Sequence, residues 1–147
     1  MLKKNDTVPN FSLIGIGANG EKRKISLSEF KGKDIVLYFY PKDGTKDCTI
    51  EACNFRDSLN IINRAIIIGI SGDSIDDHSK FHKEQLLNFY LLSDTDFNIA
   101  KLFDAWDEKT QSCKRQTFLL NGDFKIIKEW RDIDVINHAT EIAKFLY

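Results

Sequence analysis

Two cysteines, Cys48 and Cys53, stand five residues apart, and their type and spacing suit thiol redox chemistry. Residues 48, 52, 55, 59 and 62 recur at spacings of four and three, which predicts a helix with one core-facing stripe of Cys48, Ala52, Phe55, Leu59 and Ile62. Cys48 then lies in the first turn, where unpaired N–H groups and the helix dipole favour a thiolate. A shielded thiolate of this kind is what attack on a peroxide oxygen requires.

The five-residue spacing excludes a disulfide within an intact helix. Five residues turn a helix by about 140° and raise it by about 7.5 Å. The two Cα atoms are therefore roughly 8–9 Å apart, beyond the ~7 Å limit for a disulfide. Oxidation to a Cys48–Cys53 disulfide requires the first turns to unwind, so the pair is a candidate redox switch. The chemistry would run through a sulfenic acid on Cys48, condensation with Cys53 and reduction by an external dithiol.

Apolar runs in the sequence predict the strands and helices that must position these thiols. The runs Asp34–Tyr40 and Ala65–Ile70 flank the helix, which predicts a right-handed strand–helix–strand crossover. Further patterns predict a helix over Ser74–Leu87, a strand near Phe89–Leu92, a hairpin of Arg115–Leu120 and Phe124–Trp130, a closing helix near Val135–Phe145, and an N-terminal hairpin of Phe11–Ile16 and Lys24–Leu27. The sum is an α/β fold with a mixed central sheet and helices on both faces.

Bulk composition narrows the function classes. The 147 residues predict a single domain over 1–147, and a net charge of −1 offers no electrostatic case for nucleic-acid or anionic-membrane partners. No apolar run approaches the roughly 20 residues of a membrane helix. The N-terminus has no apolar leader, so we expect a cytoplasmic protein. Three cysteines are an odd count, which indicates reduced thiols rather than a disulfide scaffold.

The segment around Cys48 resembles a known family. Residues Pro41–Cys48 (PKDGTKDC) match the P-x-x-x-T-x-x-C motif of peroxiredoxins. The continuation Thr49–Asp57 resembles the bacterioferritin-comigratory (Q-type) subfamily, in which a resolving cysteine lies five positions on. The similarity also covers Val8–Leu13, Gly69–Ser71 with Asp73 and Ser74, Leu91–Asp94 and Arg115–Leu119.

The resemblance implies a thioredoxin-like fold and roles for the residues that match the motif. Cys48 would be the peroxidatic nucleophile and Cys53 the resolving thiol. Thr45 would hydrogen-bond the thiolate and the peroxide, and Pro41 would shield the thiolate from water.

A second set of implications concerns Arg115, Glu51 and the partners. Arg115 would stabilise the thiolate and polarise the substrate, a task that suits a permanently charged fork. Glu51 would orient Arg115 or cap the helix start. The resemblance also implies hydrogen peroxide and organic hydroperoxides as substrates, thioredoxin or a similar dithiol as reductant, a monomer, and no metal or organic cofactor.

Two departures from the family pattern concern Asp47 and Cys113. Lys46 and Asp47 stand where the family usually has Pro-Gly, and we expect Asp47 to cap the helix, although it could instead oppose the thiolate charge. Cys113 lies two residues before Arg115, so on a strand both side chains would share a face. That would allow an auxiliary resolving role, but a buried strand cysteine or a surface thiol is the simpler interpretation.

Three other functions fit parts of the sequence. Cys48, Cys53, His78 and His82 could ligate zinc, although a solvated helix face is the default for both histidines and the pairs are widely separated. A thiol–disulfide oxidoreductase is a closer rival, but such proteins usually carry Cys-x-x-Cys. A redox-sensing or chaperone role could use the same switch.

Overall fold

The computed structural model describes residues 1–58 and 65–146, which form one seven-stranded sheet, a two-stranded ribbon and the helices around them. The strands are β1 Ser12–Ile16, β2 Lys22–Ser26, β3 Asp34–Phe39, β4 Ala65–Ser71, β5 Tyr90–Ser93, β6 Trp106–Asp107, β7 Ser112–Cys113, β8 Gln116–Leu120 and β9 Ile126–Trp130. The helices are α1 Lys46–Asp57, α2 Ile75–Glu84, α3 Asn98–Leu102 and α4 His138–Leu146, with a 3₁₀ turn at Leu27–Phe30. None of the described helices is long and apolar enough to cross a membrane.

The large sheet is mixed, in the order β2-β1-β5-β4-β3-β8-β9. Strands β3, β4 and β5 are parallel, while β1, β2, β8 and β9 join by antiparallel pairing. Helix α1 connects β3 to β4 and α2 connects β4 to β5, as the crossover rule predicts. The predicted mixed sheet and the N-terminal hairpin are confirmed.

Two apolar cores lie on opposite faces of this sheet. Along β3, Val36 and Tyr38 face the core beneath α1, α2 and α4, whereas Ile35, Leu37 and Phe39 face the core beneath α3 and the 3₁₀ turn. Successive strand residues point to opposite faces, so a strand that is apolar throughout is buried on both sides. The run at residues 34–40 is therefore a central strand, as predicted.

Several element boundaries differ from the predictions. Helix α1 begins at Lys46 and is described to Asp57, so Leu59 and Ile62 of the predicted stripe lie outside the described residues. The second strand of the C-terminal hairpin begins only at Ile126, because Phe124 takes a left-handed backbone with φ 65°. Helix α3 and the β6–β7 ribbon were not predicted, because both are too short to show a period.

The chain segments around Cys48 lie at the edge of the sheet formed by the carboxyl ends of the parallel strands. The parallel strands β3, β4 and β5 all end there, and β8 begins there because it runs antiparallel to β3. Backbone hydrogen bonds from Tyr40 to Ile70 (3.1 Å) and from Asp94 to Ser71 (2.9 Å) hold the departing loops together. Such an edge is where open α/β sheets commonly place their sites.

Candidate active site

Cys48 and Arg115 meet at this edge of the sheet. Cys48 lies in the first turn of α1 and is only 2% exposed. Arg115 immediately precedes β8, whose residue Gln116 pairs with Phe39 at the end of β3, and its Nη2 donates to Cys48 Sγ at 3.2 Å. A charged, forked donor therefore faces the sulfur at a helix start, an arrangement that stabilises a thiolate.

Glu51 holds the other arm of the same guanidinium. Arg115 Nη1 donates to Glu51 Oε1 at 2.7 Å, and Glu51 Oε2 is buried with no hydrogen-bond partner among the described residues. Burial raises the pKa of Glu51 to about 7, against the opposing effect of Arg115. Burial by itself would lower the pKa of Arg115, but the neighbouring Glu51 and Cys48 raise that pKa above its usual value. The guanidinium therefore remains charged beside the thiol.

Thr45 and Pro41 lie in the loop between β3 and α1. Pro41 is half-buried directly after Tyr40, and Thr45 is the N-cap residue of α1. The Thr45 hydroxyl donates to the carbonyl oxygen of Lys42 at 2.9 Å. A hydroxyl has one proton, so Thr45 Oγ1 can offer only lone pairs to any further partner in this arrangement. It is thus an acceptor at the helix start rather than a donor to the Cys48 sulfur.

Cys53 lies on the same continuous helix as Cys48, and both thiols are free. Its half-buried Sγ lies 3.5 Å from Gln85 Oε1, at the end of α2. Cys48 instead contacts Arg115, so the two sulfurs have different surroundings. This intact helix matches the prediction that the two cysteines cannot pair without unwinding.

The structure corrects the expected helix cap at Asp47 and the expected shared face of Cys113 and Arg115, and it confirms the simpler interpretation of Cys113 as a buried strand cysteine. Asp47 is exposed in the first turn and is not the cap, because Thr45 takes that position. Cys113 does not share a strand face with Arg115, since β7 ends at Cys113 and β8 begins only at Gln116. Cys113 is buried in the core on the sheet face opposite that of Cys48, and this burial raises its pKa to about 12.

The histidines of α2 are buried, which corrects the expectation of a solvated helix face. His78 is 0% and His82 5% exposed. Within residues 1–58 and 65–146, the single cluster with metal-ligand proximity is Asp43, Asp73 and His78, whose donor atoms lie within 4.8 Å of one another; it includes no cysteine. These donors already bind one another or neighbouring groups through hydrogen bonds. No spacing in the sequence pointed to this cluster, although Asp43 belongs to the motif around Cys48.

Comparison with known proteins places this geometry in a family. The profile of the AhpC/TSA family matches residues 5–129. Peroxiredoxin Bcp of Bacillus subtilis is 44% identical over 138 residues, covering 88% of this chain and 87% of the relative. A crystal structure of a cysteine-to-serine mutant of Xylella fastidiosa PrxQ superposes with a TM-score of 0.91 at 32% identity, covering 99% of this chain and 96% of that one.

A further solved relative is named for its activity. The structure of Xanthomonas campestris bacterioferritin comigratory protein, described for its alkyl peroxide reduction activity, has a TM-score of 0.83 at 30% identity and covers 92% of this chain and 89% of that one. The shared fold is the thioredoxin-like fold of peroxiredoxins, as the resemblance implied. With its buried Cys48 facing Arg115, the chain belongs to the AhpC/TSA family and, within it, to the Bcp or Q-type peroxiredoxins.

Proposed function

We propose that this protein reduces hydrogen peroxide and organic hydroperoxides with Cys48 as the nucleophile. The observation that carries the proposal is the Arg115 guanidinium, which lies 3.2 Å from Cys48 Sγ while Glu51 holds its other arm at 2.7 Å. A fixed positive charge in a shielded site stabilises both a thiolate and the charge that develops on a peroxide oxygen. The alkyl peroxide reduction activity named for the Xanthomonas campestris relative supports the same chemistry.

The first step transfers two electrons from the Cys48 sulfur to the peroxide. The thiolate attacks one oxygen, the S–O bond forms as the O–O bond breaks, and the leaving oxygen takes a proton to become an alcohol or water. Cys48 is left as a sulfenic acid. Arg115 stabilises the developing charge, Thr45 Oγ1 accepts the hydroperoxide O–H, and Pro41 keeps water from the thiolate.

The second step forms a disulfide between Cys48 and Cys53. The Cys53 sulfur displaces hydroxide from the sulfenic acid, and the hydroxide leaves as water with the thiol proton. The helix must unwind for the sulfurs to meet, which separates Cys48 from Arg115 and Cys53 from Gln85. Thioredoxin or a similar dithiol then reduces the disulfide. We propose this cycle for a cytoplasmic monomer of one domain that uses no metal or organic cofactor.

Peroxide turnover with thioredoxin in three cysteine variants tests the proposal. Cys48→Ser should abolish peroxide reduction, whereas Cys53→Ser should retain one turnover and stop at the sulfenic acid. Cys113→Ser is the matched control and should turn over like the wild type, because Cys113 is buried in the opposite core. Full activity in Cys48→Ser contradicts the proposal. Insulin reduction that exceeds peroxide turnover would instead indicate a thiol–disulfide oxidoreductase.

A further inference from the structure

A buried histidine lies directly behind the loop that carries Thr45. His78, on α2, is fully buried, and its Nδ1 lies 2.6 Å from Asp43 Oδ2. Its other ring nitrogen, Nε2, lies 2.9 Å from the carbonyl oxygen of Leu92. The Tyr40 hydroxyl donates to the second oxygen of Asp43 at 2.5 Å. Asp43 is therefore held on both oxygens by buried side chains, although it belongs to a surface loop.

The partners of the imidazole define where its protons lie. A carbonyl oxygen only accepts, so Nε2 must carry a proton to bind Leu92. Nδ1 faces a carboxylate oxygen, and two lone pairs would repel at 2.6 Å, so a proton also lies between Nδ1 and Asp43 Oδ2. The pair is an imidazolium–carboxylate contact or its proton-shifted form. Such charge-assisted hydrogen bonds are stronger than neutral ones.

This contact extends to the Thr45 hydroxyl through a single peptide group. The N–H of Asp43 donates to Asp73 Oδ2 at 2.8 Å. The C=O of Lys42, in the same planar peptide unit, accepts the Thr45 hydroxyl at 2.9 Å. Because the peptide unit is rigid, the position of the Asp43 backbone fixes the direction of the Lys42 carbonyl. That carbonyl in turn fixes where the Thr45 hydroxyl proton points. With that proton bound to Lys42, Thr45 Oγ1 presents its lone pairs at the start of α1, three residues before Cys48.

We propose that His78 is a positioning residue for peroxide binding, acting through Asp43 and the Lys42–Asp43 peptide to present Thr45 Oγ1 as the acceptor of the hydroperoxide O–H. This inference rests on the proposed peroxidase function. The short hydrogen bonds of His78 go to Asp43 and Leu92, so His78 acts through another residue. It fixes the geometry of a group that binds the peroxide, and small displacements of such groups reduce rates by up to about 10²-fold.

Two substitutions at His78 separate its two contacts. Asparagine can place an amide donor near the Nδ1 position and keep the bond to Asp43, while glutamine can place one near Nε2 and keep only the bond to Leu92. We expect His78→Gln to lower the rate constant of Cys48 oxidation by hydrogen peroxide by roughly 10- to 100-fold, and His78→Asn to lower it less. His82→Gln is the matched control, since His82 lies on the same helix and its side chain hydrogen-bonds the Phe89 carbonyl oxygen at 3.0 Å.

Alkylation of Cys48 by iodoacetamide separates positioning from general damage. This reaction needs the thiolate but no acceptor for a peroxide O–H, so His78→Gln should alkylate at the wild-type rate. A parallel loss of both rates, or a wild-type peroxide rate in His78→Gln, overturns the inference. If Cys48 of the wild-type protein does not react with peroxide, the proposed function is overturned as well. The wild-type rate therefore distinguishes failure of the proposed function from failure of the inference about His78.

A double-mutant cycle tests the route through Thr45. Thr45→Val should slow peroxide oxidation, and adding His78→Gln should cause no further loss, because both changes remove the same acceptor. Losses that multiply contradict the route. If His78→Gln does not fold, Asp43→Ala tests the same link from the loop, and Asp43→Asn should recover part of the rate because its amide can donate to a neutral Nδ1.

Two measurements on the wild type are independent of folding in variants. The ¹⁵N spectrum of the His78 ring should show protons on both nitrogens, or a proton shared with Asp43, and an unprotonated Nδ1 contradicts the inference. Titration with Zn²⁺ alone tests whether Asp43, Asp73 and His78 form a metal site instead. Binding with loss of the His78 ring protons would overturn the positioning role.

Discussion

Glu51→Gln is the substitution whose effect on stability follows most directly from the structure. Glu51 is 2% exposed, one of its oxygens binds Arg115, and the other has no partner among the described residues. Burial raises the pKa of this carboxyl from 4.5 to about 7, because removing a carboxylate from water costs more than Arg115 returns. Glutamine has nearly the same shape as the protonated acid but cannot ionise.

The direction and size of the pH effect follow from that shift. Between pH 4.5 and about 7 the folded protein keeps a proton on Glu51 that the unfolded chain releases. The associated stability is fully present below pH 4.5 and is lost as the pH rises through about 7. At 1.36 kcal/mol per pKa unit, the wild type should lose at most about 3 kcal/mol of unfolding free energy across this window through Glu51.

Urea unfolding of both proteins at pH 5, below the folded-state pKa of about 7, and at pH 7.5, above it, measures the effect. The decrease in unfolding free energy between the two pH values should be smaller in Glu51→Gln than in the wild type, by up to about 3 kcal/mol. Glu84→Gln is the control, since Glu84 is an exposed glutamate on α2. Equal pH dependence in wild type and Glu51→Gln would refute the assignment of a buried, proton-binding carboxyl.

Three further substitutions or modifications test other parts of the structure. Gly72→Ala should reduce the free energy of unfolding in urea by about 1–3 kcal/mol, because its Cβ would lie 2.1 Å from Phe97 Cζ; unchanged stability would contradict that packing. Asn54→Ala should speed disulfide formation after oxidation of Cys48, because it removes hydrogen bonds from α1 to the backbone oxygens of residues 135 and 136. Mass analysis of quenched samples measures the rate of disulfide formation. An unchanged rate would show that this contact does not limit unwinding. Cys113 should resist iodoacetamide in the folded protein, since burial raises its pKa to about 12, and mass mapping that finds early modification there would contradict its burial.

Local sequence patterns were sufficient for most of the fold. Continuous apolar runs predicted β3 and β4, because strands buried on both faces need apolar residues at every position. The stripe from Cys48 to Phe55 predicted α1, because a helix with one buried face repeats its apolar residues every three or four positions. Exact ends were less predictable, as at Phe124, because a left-handed residue outside glycine depends on its tertiary surroundings.

The sequence alone also determined the distance between Cys48 and Cys53 on an intact helix. Their separation is a property of helix geometry, so the need for unwinding follows from counting residues. The family resemblance at Arg115–Leu119 implied a role for Arg115, but no local rule brings together residues 67 positions apart. The antiparallel pairing of β8 with β3 does so, by placing the start of one strand beside the end of the other.

Only the tertiary structure decided the environments of the polar side chains. His78 and His82 are polar residues in a weakly periodic helix, so the sequence favoured solvent exposure. In the fold both are buried, His78 against Asp43 and Leu92 and His82 against Phe89. Cys113 lost its predicted relation to Arg115 because two residues between β7 and β8 interrupt the strand alternation. Burial depends on which distant segments cover a residue, and that information is absent from its neighbours in the chain. The two thiols and the Glu51 partner of Arg115 could therefore be proposed from the sequence, whereas the groups that hold Asp43 and the loop of Thr45 in place could be identified only from the fold.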